Sequence, residues 1–242
     1  MKNRKKNAKI AQPPGTVIYS GDRTPFPTEI EIIDYSEEKF QIDPIFGQTH
    51  PTINLKALDT PPDNIRWVKI QGLQDMSTVQ TVCDRYSLHP LVVEDIFSTT
   101  QRSKLEDYGS YLYFVLKRIE YIKTHTTYEY EQISLILGKN FVISIQEFPS
   151  DIFKPIVERV ITPKGRIRNL NADYLAYTLI DLTIDSYFTT LESLGIRIEE
   201  IEDLVLEEPS PSILQRIYAL KRTVIEFRKI IWPLREVINK LQ

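Results

Sequence analysis

NADYLAYTLIDLTIDSYFTTLESLGIRIEEIEDLVLEE, residues Asn171 to Glu208, decides how the rest of the chain is read. It holds no proline, and Gly195 is its only internal breaker. Apolar residues recur at Ile180, Ile184, Phe188, Leu191, Leu194, Ile198, Ile201 and Val205, the spacing of one helical face. The stretch therefore predicts one long helix with that series as its seam. Pro209 and Pro211 interrupt it, and Ser212 is placed to cap a second helix. There Ile213, Ile217, Leu220, Val224, Phe227, Ile231, Leu234, Ile238 and Leu241 alternate three and four residues apart, a heptad seam. No glycine or other cap precedes Gln242, so the pattern reads as a helix cut short.

Charge separates the two helices. Asp181, Asp185, Glu192, Glu199, Glu200, Glu202, Asp203, Glu207 and Glu208 face only Arg197 in the first. Arg216, Lys221, Arg222, Arg228, Lys229, Arg235 and Lys240 outweigh Glu226 and Glu236 in the second. As an antiparallel hairpin the two runs would partly neutralise each other. Alternatively the basic stripe faces other chains or anionic lipid, and the acidic one attracts cations.

Working toward the amino end, the pattern changes to period two. Thr16 to Gly21, Thr28 to Ser36 and Asn64 to Gly72 alternate apolar and polar residues and are bounded by turn chemistry. Met76 to Tyr86 has helix spacing at Val79, Val82 and Cys83, and a second short helix opens at Pro90. Tyr111 to Tyr121 and Glu131 to Ile145 are rich in Tyr, Ile, Val and Phe, the latter broken at Gly138, Lys139 and Asn140 as a hairpin turn. The fold expected is α/β: a mixed sheet with helices packed on it, followed by long antiparallel helices.

With 242 residues, 42% of them apolar, the chain is long enough to bury a core of its own. Net charge is −3, which argues against a nucleic-acid binder. The single cysteine, Cys83, cannot form an intramolecular disulfide, and His50, His89 and His125 are too scattered for a zinc site, so an intracellular setting is expected. The basic amino end MKNRKKNAKI has no apolar stretch behind it and reads as a solvated tail. No glycine-rich phosphate loop, GxSxG or HExxH occurs, so no catalytic residue is assigned and an enzyme is not expected.

The acidic groups carry more. Glu94 and Asp95 stand side by side in HPLVVEDI, read as lying just after a helix start, where a helix dipole stabilises negative charge. Asp181 and Asp185 lie one turn apart on one face of the long helix. Mg²⁺ prefers carboxylate and carbonyl oxygens and keeps several waters. By spacing alone such pairs are more often surface charge than ligands.

The blocks PPGTVIYSG (Pro13 to Gly21), LHPLVVEDIF (Leu88 to Phe97), QRSKLEDY (Gln101 to Tyr108), EQISLILGKNFVISIQE (Glu131 to Glu147), ADYLAYTLIDLTIDSYF (Ala172 to Phe188) and LKRTVIEFRKIIWPLREV (Leu220 to Val237) resemble the amino-terminal domain of CorA magnesium channels. The resemblance covers nearly the whole chain. It implies a homo-pentamer in which cytoplasmic α/β/α domains form a funnel that senses divalent cations and gates the pore, with a stalk helix running on into the membrane. It also implies an α/β/α domain over 1–165, a long acidic helix over 171–208 and the start of a stalk over 212–242. Glu94, Asp95 and Asp181 match positions that supply carboxylates to divalent-cation sites between subunits, and Asp185 matches an acidic position of lower weight. The implied ion is Mg²⁺, with Co²⁺ or another divalent cation as alternatives. Further ligands and the Gly-Met-Asn pore signature would lie beyond Gln242. The implied location is the cytoplasmic side of the cell's inner membrane, reached through segments outside this chain. A zinc-transporting branch of the family and a soluble coiled-coil scaffold are the competing readings.

Overall fold

The computed structural model describes residues 17–21, 24–58, 64–122, 127–162, 165–207 and 210–241. Seven strands form one sheet: β1 (Glu29–Tyr35), β2 (Phe40–Phe46), β3 (Ile65–Gln71), β4 (Lys104–Asp107), β5 (Tyr111–Ile122), β6 (Thr127–Gly138) and β7 (Phe141–Gln146). Their order is β2-β1-β3-β7-β6-β5-β4. β3 and β7 run parallel and every other pairing is antiparallel, so the sheet is mixed. The helices are α1 (Met76–Arg85), α2 (Pro90–Phe97), α3 (Lys154–Ile161), α4 (Ala172–Glu207), α5 (Pro211–Ile231) and α6 (Leu234–Lys240).

Alternation along the strands sorts apolar side chains to two faces. Ile30, Ile32, Val68, Ile70, Tyr113, Ile136 and Ile143 join Val79, Val82, Val92 and Ile96, so α1 and α2 cover one face. Ile33, Tyr35, Trp67, Phe114, Leu135 and Val142 join Phe153, Ile156, Leu175 and Leu179, so α3 and α4 cover the other. The result is an α/β/α sandwich in which α4 shares the sheet's own core. The period-two readings around Ile32, Trp67 and the Gly138–Asn140 turn match β1, β3 and the β6–β7 hairpin. Val17 to Gly21 forms no strand; Ser20 N–H donates to the Phe97 carbonyl at 3.0 Å, tying the segment to the end of α2 instead. Thr16 and the basic amino end lie outside the described residues.

The long helix is present, and its buried face takes in Ile180, Leu194 and Ile201 of the expected aliphatic seam but not the rest. Phe188, Leu191, Ile198 and Val205 are exposed. Leu175, Leu179, Thr183, Tyr187, Thr190 and Leu194 face inward. Polar Thr183, Tyr187 and Thr190 can be buried because their hydroxyls donate to backbone carbonyls: Thr183 to Leu179 at 2.7 Å, Tyr187 to Lys117, and Thr190 to Ile119 at 2.9 Å. The last two bonds fasten α4 to β5.

α5 folds back on α4, with the Tyr187 and Phe227 rings edge to face at 6.1 Å between centroids. Of the heptad series, Ile213, Phe227 and Leu234 are buried, whereas Val224, Ile238 and Leu241 are exposed. Pro233 lacks the N–H that would continue the ladder, so α5 ends at Ile231 and α6 restarts at Leu234 with the backbone still in the helical region. α6 does not project from the domain. Leu234 and Val237 sink into the core beside Leu105, and Lys240 Nζ donates to the Leu105 carbonyl of β4 at 3.0 Å. Leu234 is 5% exposed, and Leu234→Ala is expected to cost about 2 kcal/mol or more. A urea unfolding midpoint equal to that of the unaltered chain would show that α6 is undocked in solution.

Candidate functional site

α2 begins where the sequence permits it. Pro90 occupies the first turn, and His89 caps the helix, its Nδ1 accepting from the Leu91 N–H at 3.2 Å. Val92, Val93, Ile96 and Phe97 face the sheet and leave Glu94 and Asp95 on the outer side, partly exposed. These acids do not sit in the first turn, which contains no acidic residue, so the helix dipole is not what stabilises them. Asp95 is held by side chains instead. Gln101 Nε2 donates to its Oδ1 at 2.6 Å, and Lys104 Nζ donates to its Oδ2 at 2.6 Å. Lys104 also reaches Glu106 Oε1 at 2.7 Å and lies 5.6 Å from the centroid of the Tyr113 ring. Burial disfavours the ammonium, but the hydrogen bonds and charges of Asp95 and Glu106 outweigh it and raise the Lys104 pKa.

Behind Asp95 a buried polar network ties α2 to the sheet. Gln132 Nε2 donates to the Asp95 carbonyl at 2.9 Å, and its Oε1 accepts from Lys117 Nζ at 3.1 Å. Lys117 also donates to the Thr99 carbonyl at 2.5 Å. Glu147 accepts from the Gln132 N–H at 3.3 Å and from the Tyr19 hydroxyl at 2.6 Å. Burial pushes the Lys117 pKa down to about 8, with the Glu147 charge offsetting part of the shift. Glu131 next in line is pushed up to about 7 by burial, against the pull of the Phe148 N–H and Arg118. Lys117 is central in another respect, since its own carbonyl accepts the Tyr187 hydroxyl from α4. One residue of β5 thus reaches the segment just past α2 with its side chain and α4 with its carbonyl.

Asp181 and Asp185 are exposed on the outer face of α4, one turn apart as expected. The same face leaves Tyr177 and Phe188 uncovered, 58% and 63% exposed. α2 and α4 cover opposite faces of the sheet, so the Glu94/Asp95 pair and the Asp181/Asp185 pair do not meet within one copy of the chain. Among the described residues no group of three or more His, Cys, Asp or Glu could hold a metal ion. Sequence reasoning missed Gln101, Lys104 and Glu106, although all three lie in the QRSKLEDY block, because a lysine among acids reads as ordinary surface pairing.

A mixed-sheet α/β/α sandwich with a long helix fastened to its sheet, and carboxylate pairs on both outer layers, defines a class that the known proteins make definite. The profile described as CorA-like Mg2+ transporter protein matches residues 62–242. The cobalt/magnesium transport protein CorA of Thermotoga maritima is 41% identical over 242 residues, covering 100% of this chain and 67% of that protein. This chain belongs to the CorA family. Among solved structures, the complete CorA magnesium transporter of Methanocaldococcus jannaschii superposes with a TM-score of 0.67 at 14% identity, covering 90% of this chain and 63% of that one. The ZntB cytoplasmic domain of Vibrio parahaemolyticus gives 0.67 at 15% identity, over 89% of this chain and 80% of that one. At these identities the structures speak for the fold. Among the described residues no helix is long and apolar enough to cross a membrane.

The buried Lys117 makes a pH test of the network. Its ordinary value is 10.5, and in the folded chain it is about 8. Between those values the unfolded state holds a proton that the folded state has lost, so this group makes stability rise with pH over that window. Below pH 8 the cost of burying the ammonium is present in full. Lys117→Met is expected to lack that rise, so that the two stability curves differ in slope across this window. Parallel curves from pH 7 to 10.5 would mean that Lys117 keeps its ordinary pKa.

Proposed function

We propose that this chain is the cytoplasmic, cation-sensing and gating part of a pentameric CorA-type Mg²⁺/Co²⁺ transport channel in the cell's inner membrane, and not an enzyme. The 41% identity to a cobalt/magnesium transport protein along the whole of this chain supports the ion class. The chain spans about two thirds of that relative, so transport itself is proposed for the whole protein. The observation that carries the sensing role is the placement of the two acidic pairs on opposite outer layers. Within one copy neither pair can complete the other, and in this reading a neighbouring copy brings them together. Exposed Tyr177 and Phe188 beside Asp181 and Asp185 supply apolar surface for such a contact.

In this reading residues 1–165 carry Glu94 and Asp95, residues 171–208 carry Asp181 and the lower-weight Asp185, and residues 212–242 transmit motion toward the pore. The donor set fits the ion. Carboxylate oxygens suit Mg²⁺, which also keeps part of its water shell. The position beside Asp95 already accommodates a positive charge, the Lys104 ammonium. Zinc would favour nitrogen and sulfur, but Cys83 is buried and His89 is occupied as a helix cap.

Without bound ions, acidic faces of adjacent copies repel; a bridging Mg²⁺ holds them together, and falling Mg²⁺ releases them. The ion shifts the population because it binds the closed arrangement better. Sedimentation velocity of the chain extended through the whole stalk, with and without millimolar Mg²⁺, tests this. Mg²⁺ is expected to raise the association state, and Asp95→Asn or Asp181→Asn to abolish the rise. An unchanged distribution for the unaltered chain would overturn the sensing role.

A further inference from the structure

Asp95 already holds a cation that belongs to the chain. Lys104 Nζ lies 2.6 Å from Asp95 Oδ2 and 2.7 Å from Glu106 Oε1, between the two carboxylates. The aromatic face of Tyr113 adds a further attractive surface 5.6 Å away. The other Asp95 oxygen accepts from Gln101, so both are engaged. The Asp95 and Lys104 side chains are 18% and 27% exposed, which shields the pair without sealing it from solvent. Glu106 is more open at 39%, and its second oxygen accepts from the Tyr108 hydroxyl at 3.2 Å.

This arrangement bears on how a divalent ion would reach Asp95. An ion that takes Oδ2 competes there with the Lys104 ammonium, which on yielding needs another partner. Glu106 is that partner, because Lys104 already bonds to it and loses only half of its pairing when Asp95 is taken. A monovalent ion has no charge advantage over the ammonium it would replace. A divalent ion doubles the attraction to the carboxylate. We propose that Lys104 is a tethered counter-ion that competes with divalent cations for Asp95, with Glu106 as its alternative partner, and so sets the ion concentration at which the sensor loads. The proposal rests on the reading of Asp95 as a ligand.

Two consequences follow from the geometry. In the ion-free state Lys104 cancels one negative charge on the outer side of α2, so the repulsion between copies is smaller than a count of acids suggests. In the loaded state the ammonium, moved onto Glu106, remains close to the ion and keeps its affinity modest. A sensor that must release its ion as the concentration falls requires weak binding, and a built-in competitor provides it.

The test measures Mn²⁺ binding to the chain, with free Mn²⁺ read by its paramagnetic resonance signal. K104M is expected to bind about tenfold more tightly than the unaltered chain, because a competing charge has gone from a carboxylate site. K104M/D95N should lose that gain, and K104R should bind like the unaltered chain. Circular dichroism and thermal unfolding establish that each variant is folded, and K104Q replaces K104M should the latter not fold. A folded K104M or K104Q with unaltered affinity overturns the proposal, even where D95N weakens binding and so upholds Asp95 as a ligand. A gain in K104M that D95N abolishes supports it, whereas D95N that leaves the unaltered chain's binding intact removes Asp95 as a ligand and the proposal with it.

Discussion

A sheet buried on both faces needs cover on both, and from that requirement the rest of the structure follows. The parallel pairing of β3 with β7 places hydrophobic strands at the centre, where Ile70 and Ile143 look one way and Trp67 and Val142 the other. α1 and α2 cover the first face, α3 and α4 the second. The layers keep the carboxylates of α2 and α4 apart within one copy. An ion site that used both, as proposed, would therefore need two copies of the chain.

The two layers are separated but not independent. Lys117 donates its side chain toward the end of α2 and lends its carbonyl to Tyr187 of α4. Thr190 repeats the second contact one turn further along, on the Ile119 carbonyl. Each such bond is worth on the order of 1 kcal/mol net, but together they fix α4 against β5 in one register. The hairpin that α4 makes with α5 is thus carried by a rigid support. Past α5, α6 is anchored to the sheet again where Lys240 meets β4.

Much of this was legible in the sequence, for physical reasons that differ from element to element. β1, β3 and the β6–β7 hairpin announce themselves by period-two alternation, and α2 by Pro90. β2 passes unnoticed because Pro44 breaks the expected pattern, and an edge strand tolerates it. β4 is only four residues long, too short for periodicity to register. The face of α4 was legible only in part because a buried threonine looks polar until its acceptor is known; Thr190 is buried with its hydroxyl within reach of the Ile119 carbonyl of β5 and the Ser186 carbonyl of its own helix. The acidic pairs were legible as residues. Their separation by the sheet, and the lysine already bound to one of them, depend on tertiary contacts that no spacing reveals.

The central claim, that the ion site joins Asp95 of one copy to Asp181 of another, is tested most directly by mixing. Asp95→Asn and Asp181→Asn chains each lack one half of every site. Combined in equal amounts they restore intact Asp95/Asp181 pairings wherever a neighbour supplies the missing half. The account predicts that sedimentation in millimolar Mg²⁺ shows assembly in the mixture and none in either variant alone. A mixture as inert as its components would contradict it.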